Sequence, residues 1–188
     1  MSATRSITVS DPASEPISLS EAKQHLDIAA ADTSHNPEVR RMITASRQQW
    51  EHDTQSLTVS RSVVEKLNTW PDETWRFYHR PVSAITSITY YDAANASQTL
   101  ASSVYDLDID NRKIHLAVDQ TYPDLESRWD AVTVTYTAGQ STVDEIAKHA
   151  IKLALDIQFE LKGMTKEKDS TIRAYENLVM RYKRASYP

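Results

Sequence analysis

Between Arg80 and Gly139 the chain alternates apolar and polar residues in three separate stretches: Arg80 to Asp92, Val104 to Asn111, and Trp129 to Gly139. A period of two is that of a half-buried strand, because successive side chains leave a pleated backbone on opposite faces. The segments on either side carry the three-to-four-residue apolar spacing of helices. Strands grouped in the middle of a chain with helices at both ends read as an α+β fold: a small helical bundle with an inserted antiparallel β subdomain.

Local signals divide the chain further. Residues 1–15 lack periodicity and are expected to form a flexible N-terminal arm. Ser18-Leu19-Ser20-Glu21 is a capping box and predicts a helix to near Ile28. Asn36-Pro37 predicts a second start, with Asn36 as cap and Val39, Met42, Ile43, Ser46 and Trp50 on one face. Residues 55–67 read as a strand or strand pair in which Arg61 interrupts the apolar side. Asp110-Asn111-Arg112 reads as a hairpin turn. Thr142-Val143-Asp144-Glu145 is a second capping-box pattern and opens a helix to about Lys162, with Ile146, Ala147, Ala150, Ile151, Ala154, Leu155, Ile157 and Leu161 apolar and Gly163 as its stop. The domain reading is a bundle from 16–56 and 140–164, a β subdomain at 57–139, and a C-terminal docking helix at 165–188. That last helix has a thin apolar face and is expected to need another surface to order on.

Composition narrows the chemistry. Only two glycines occur, Gly139 and Gly163, and phosphate-cradling loops need glycine so that backbone N–H groups can approach the anion. No GxGxxG, Walker A or GxSxG pattern is present. With no cysteine, disulfides, thiolate metal sites and cysteine nucleophiles are excluded. The expectation is a non-enzyme without cofactor. The N-terminus carries no apolar signal-like core, so synthesis in a reducing cytoplasm is expected. The net charge of −5 is uneven. Residues 92–130 hold eight acids against three bases, whereas the last eighteen residues hold four bases against one acid.

Two metal readings fail on spacing. Asp106-Leu107-Asp108-Ile109-Asp110-Asn111 begins like a calcium loop, but Asn111 and Ala117 stand where the loop needs glycine and a bidentate glutamate. An acidic outer strand face is the better reading. Glu145 and His149 could share a helix face, yet no HExxH or paired ExxH pattern accompanies them, so a surface ion pair is expected.

The order Pro81-Val82-x-x-Ile85-x-Ser87-Ile88-x-Tyr90-x-Asp92, then Tyr105-x-Leu107-Asp108, then Val132-x-Val134-x-Tyr136-x-Ala138-Gly139 ahead of a long helix, resembles the head–tail connector (adaptor, or head completion) proteins of long-tailed bacteriophages. Pro16 to Lys23 and the helix from Pro37 to Glu51 resemble them too, and the likeness spans roughly residues 16–163. One departure is Asp92-Ala93-Ala94-Asn95, where many members place a glycine in the hairpin turn.

The resemblance implies a virion structural protein made in the host cytoplasm and located at the head–tail interface. Such subunits form a ring, typically of twelve copies, beneath the portal protein. They extend the DNA channel and offer a surface to the next tail component, a stopper or tail terminator. Double-stranded DNA passes through without specific binding, and no membrane is involved. On that reading Ile172, Arg173, Tyr175, Val179, Arg181, Tyr182, Lys183 and Arg184 dock on the portal. Asp92, Asp106, Asp108, Asp110, Asp119 and Asp124 line the channel and repel phosphates, and Trp70, Tyr122 and Trp129 meet the tail or a neighbouring subunit. Two competing readings are a monomeric accessory module that contacts DNA or another phage protein, and a metal-dependent hydrolase.

Overall fold

The computed structural model describes residues 4–71, 74–160 and 168–185. Its described residues form an α+β fold of two compact units, one comprising Met1–Pro12 with Ser60–Gly139, the other Ala13–Val59 with Gln140–Pro188.

The first unit is built from strands β1 (Arg5–Val9), β2 (Arg61–Leu67), β3 (Thr74–Arg76), β4 (Val82–Tyr91), β5 (Ser97–Thr99), β6 (Tyr105–Asp108), β7 (Lys113–Leu116) and β8 (Val132–Ala138). Five form an antiparallel sheet in the order β1-β2-β8-β4-β5, and three form a second in the order β3-β7-β6. Alternation decides which side is buried. In β8, Val132, Val134, Tyr136 and Ala138 are buried, while the three threonines between them are half-exposed. Arg5–Val9, expected to belong to a loose arm, is instead the edge strand of the larger sheet, in register from Arg5 opposite Leu67 to Val9 opposite Val63. Arg-Ser-Ile-Thr-Val suits a strand, with three β-branched residues in succession, Ile7, Thr8 and Val9.

The hairpin between β4 and β5 accommodates its missing glycine. Asn95 takes φ 60°, a left-handed conformation that asparagine tolerates better than most residues. The Asp92 carboxylate accepts from the N–H groups of Ala94 and Ala96 and from the Gln98 side chain. Between β6 and β7 the turn leaves Arg112 at φ 56°, and Asp108 accepts from both the backbone and side-chain nitrogens of Asn111. Gly139, at φ 111°, ends β8 in a region that only glycine enters freely.

The second unit contains α1 (Leu19–His25), α2 (Asn36–Thr54), α3 (Glu145–Glu160) and α4 (Lys168–Ala185). Ser18 closes the capping box with Glu21 as the motif requires, although α1 stops at His25, short of the expected Ile28. The cap of α2 is His35, not Asn36, and Asn36 occupies the first helical position. At α3 the cap is Asp144, whose carboxylate accepts from the Ile146 N–H. The Thr142-to-Glu145 box is not used because the helix starts later. Leu161 and Gly163 lie outside the described residues.

The core of this unit joins Val39, Met42, Ile43 and Trp50 of α2 to Ala147, Ala150, Ile151, Ala154 and Leu155 of α3 and to Tyr175 and Val179 of α4. Ile146, expected on the apolar face, is half-exposed. Helix α4, expected to lack a surface of its own, is anchored here: the Trp50 ring meets Tyr175 edge-on at 6.3 Å and Tyr182 at 5.1 Å. A thin stripe suffices because α2 meets it with a fully buried tryptophan.

Candidate functional site

No catalytic constellation is assembled among the described residues. No three metal-ligating side chains converge there, and no described helix is long and apolar enough to cross a membrane. Glu145 pairs with Lys148 at 2.7 Å rather than with His149. Asp32, Ser34 and His35 hold one another at 2.6–3.0 Å, but the Ser34 hydroxyl donates to Asp32 itself, so the cluster caps a turn and presents no activated nucleophile. What the molecule offers is surface, held in place by buried polar networks.

The expected docking residues of α4 divide into two sets. Tyr175, Val179 and Tyr182 turn inward: Tyr175 donates to Asp53 at 2.8 Å, and Tyr182 shares hydrogen bonds with Ser56 and Gln140. Burial, and then the Asp53 acceptor, push the Tyr175 phenol well above its ordinary pKa. Arg173, Arg181 and Lys183 are exposed and Ile172 is half-buried. The Arg184 side chain lies outside the described residues. Between α2 and α4 runs an open groove of about 780 Å³ that includes Gln49, Asp53, Arg173, Glu176, Met180 and Lys183. Its lining mixes both charge signs with the exposed Met180.

The acids of the β unit likewise separate. Asp106, Asp110, Asp119 and Asp124 are exposed. Asp92 and Asp108 are half-exposed and committed to their turns. Backbone N–H donors, from Ala96 and Asn111 respectively, hold both carboxyls below the usual carboxylate range.

Of the three aromatic residues singled out, Trp70 and Tyr122 come together and Trp129 stands apart. The rings of Trp70 and Tyr122 stack at 4.5 Å and 6°, with Tyr90 against the same indole at 5.6 Å. The Trp70 N–H donates to the Pro123 carbonyl at 2.8 Å. Trp70 and Tyr122 therefore pin the β7–β8 loop, and both stay half-buried. Trp129 is 62% exposed, with the Lys66 ammonium 5.3 Å from its ring. Arg128 lies over Tyr91 at 3.7 Å and pairs with Asp130 at 2.5 Å.

Two buried networks escaped the sequence reading. Glu65 of β2 is fully buried. Its carboxylate accepts from the Tyr136 hydroxyl at 2.5 Å, the Trp75 N–H at 3.3 Å, the Tyr78 backbone N–H at 3.1 Å and the Arg5 guanidinium. Burial first, then the Glu65 charge, push the Tyr136 phenol far above its ordinary pKa. In the helical unit, buried Arg47 lies between Glu15 at 2.7 Å and Glu51 at 2.9 Å. Glu51 also accepts from the backbone and hydroxyl of Thr58. Burial opposes the Arg47 charge, yet the two carboxylates outweigh it and raise its pKa. Strand parity was the available signal for Glu65, which shares a face with Arg61, Val63 and Leu67.

A scan against models of known protein families finds no match, and a sequence search of curated proteins finds none either. Solved structures do match. A chain in the neck of an empty GTA particle, computed with C6 symmetry, aligns over 95% of both chains with TM-score 0.74 and 16% identity. The chain shares its fold with a component of a particle neck. A chain in the virion of the native gene transfer agent particle aligns over 94% of both chains with TM-score 0.75 and 17% identity. One from the neck of the native particle, computed with C12 symmetry, gives TM-score 0.66 at 18% identity over 94% of both.

Proposed function

We propose that this chain is a structural subunit of the neck of a phage or phage-like virion, one copy in a ring between portal and tail, without catalytic activity. The observation that carries the reading is the fold likeness along 94–95% of both chains to neck and virion components solved under rotational symmetry. It agrees with the adaptor-like residue order of the sequence.

In this reading the work is mechanical and electrostatic. A channel for double-stranded DNA must not retain phosphates, and each neutralised phosphate strengthens binding by releasing a counterion. The exposed acids Asp106, Asp110, Asp119 and Asp124 face that channel, and the exposed cations Arg173, Arg181 and Lys183 of α4 dock on the portal side. Trp129 meets the tail side or a neighbouring subunit.

Omitting the chain from an otherwise complete particle tests the reading. The expected result is filled heads and finished tails that do not join; normal joining refutes it. Replacing the four exposed acids with lysine in joined particles slows genome ejection most strongly at low salt. Ejection at the unchanged rate there rejects the channel assignment while leaving the neck position intact.

A further inference from the structure

The two margins of the five-stranded sheet are open, and they differ in kind from those of the smaller sheet. Among the described residues β1 pairs with β2 on one side only. At the other margin β5 covers β4 only from Thr89 to Tyr91, with one more hydrogen bond from Leu100 N–H to the Ile88 carbonyl. Residues 83–87 of β4 pair with β8 on one side, and among the described residues no strand pairs with them on the other. A row of free N–H and C=O groups is a template for another strand, and proteins that avoid such pairing place charges or very short strands there. The three-stranded sheet is protected in that way: β3 has three residues, and β6 carries Asp106 and Asp108. On the larger sheet β5 is equally short, but the stretch 83–87 that it leaves uncovered is not guarded by charge. Residues 82–91 contain no charged side chain, and β1 has only Arg5, which is turned in to Glu65.

We infer that β1 of one copy adds to the open stretch of β4, residues 83–87, in the next copy, so that the sheets join around the ring. This rests on the ring reading above, and three features argue for it. Length matches: β1 has five residues, as does the uncovered stretch. Direction matches, since every pairing across β1-β2-β8-β4 is antiparallel, which leaves β1 antiparallel to β4. A twelvefold axis turns a neighbour by only about 30°, close to the ~20–25° twist between adjacent strands, so the neighbour's β1 arrives antiparallel to β4, as β5 does. The surfaces are also complementary in a ring and not in a twofold pair, because the two margins differ and the contact is head-to-tail. Register shifts between Val82 and Ala84 and between Ile85 and Ser87 bend this part of β4. Such bulges limit edge pairing, so the proposed contact is confined to a short strand such as β1.

The absence of cysteine in the whole chain makes a crosslinking test clean. One cysteine is placed in β1, by Ser6→Cys or Thr8→Cys, and one in β4, by Ser83→Cys, Ala84→Cys, Thr86→Cys or Ser87→Cys. The full-length double variants are assembled into particles and oxidised, since facing residues across a ladder come close enough for a disulfide. The expected result is one register of pairs that converts the bulk of the chain into dimers and a ladder of higher species, with no ladder from any single variant. Particles that contain the chain but show no crosslink in any pair overturn the inference and leave the neck reading standing. Crosslinking by the β1 cysteines alone overturns it in favour of a twofold contact. A folded variant chain absent from every particle overturns both.

Discussion

The β unit and the helical unit each bury a charge network, and the two are balanced differently. In the β unit a single carboxylate, Glu65, is fully enclosed and faces one cation, Arg5, with three neutral donors. In the helical unit a single guanidinium, Arg47, meets two carboxylates, of which Glu15 is partly exposed. Taking a charge out of water costs several kcal/mol unless partners satisfy it. The β unit meets that cost by closing Trp75, Tyr78 and Tyr136 around the carboxylate. The helical unit meets it with a second charge that water can still reach. The contrast shows that Glu65 fastens the N-terminal strand and the strand core in one place, whereas Arg47 fastens the segments around Glu15 and Thr58 to α2 with more tolerance.

The largest expected effect breaks the enclosed site. Glu65→Ala strands the Tyr136 hydroxyl and the Trp75 N–H and opens a cavity, for a loss of about 4 kcal/mol by urea unfolding. A loss below ~1 kcal/mol would mean that water reaches the site. Arg47→Met is expected to cost somewhat less, about 3 kcal/mol, because Glu15 can turn to solvent. If Arg47→Met proves the more damaging of the two, the proposed asymmetry is reversed.

These networks mark where sequence reasoning stops. Period-two alternation is enough to place β4 and β8, and the Ser18 capping box is enough to start α1, because both depend on neighbours in the chain. The Arg5 strand was not legible, since its partner Leu67 lies far along the sequence and five residues carry too little periodicity. The packing of α4 was missed for a related reason: its face is narrow by itself, and only the facing Trp50 makes it adequate. Nor is the pairing of Trp70 with Tyr122 legible in the sequence. Their stacking depends on a loop path that local pattern does not encode.

Smaller substitutions refine the comparison. Tyr175→Phe removes only the hydrogen bond to Asp53 and keeps the ring against Trp50, so about 1 kcal/mol is expected. A much larger loss would assign α4 a polar anchor rather than an aromatic one. The smallest effect is at an exposed control outside both networks. The Ser34 hydroxyl, then His35 and the Ser34 N–H, hold the Asp32 carboxyl down at about 2. A folded-state pKa below the unfolded value near 3.9 contributes stability above about pH 4 that is lost as pH falls towards 2. Asp32→Asn should therefore unfold at a slightly lower temperature than the parent above pH 4, with the two melting curves converging near pH 2. A constant offset across that range would show that the carboxylate charge is irrelevant.

The central claim is a position: a ring subunit at the neck of a virion. A cryo-electron microscopy map of the assembled particle, with this chain carrying a bulky C-terminal tag, tests it most directly. The account predicts tag density repeated around the symmetry axis at the head–tail junction, with the fold described here fitting each repeat. A single tagged copy away from the axis, or a complete particle with no tag density at its neck, would contradict it.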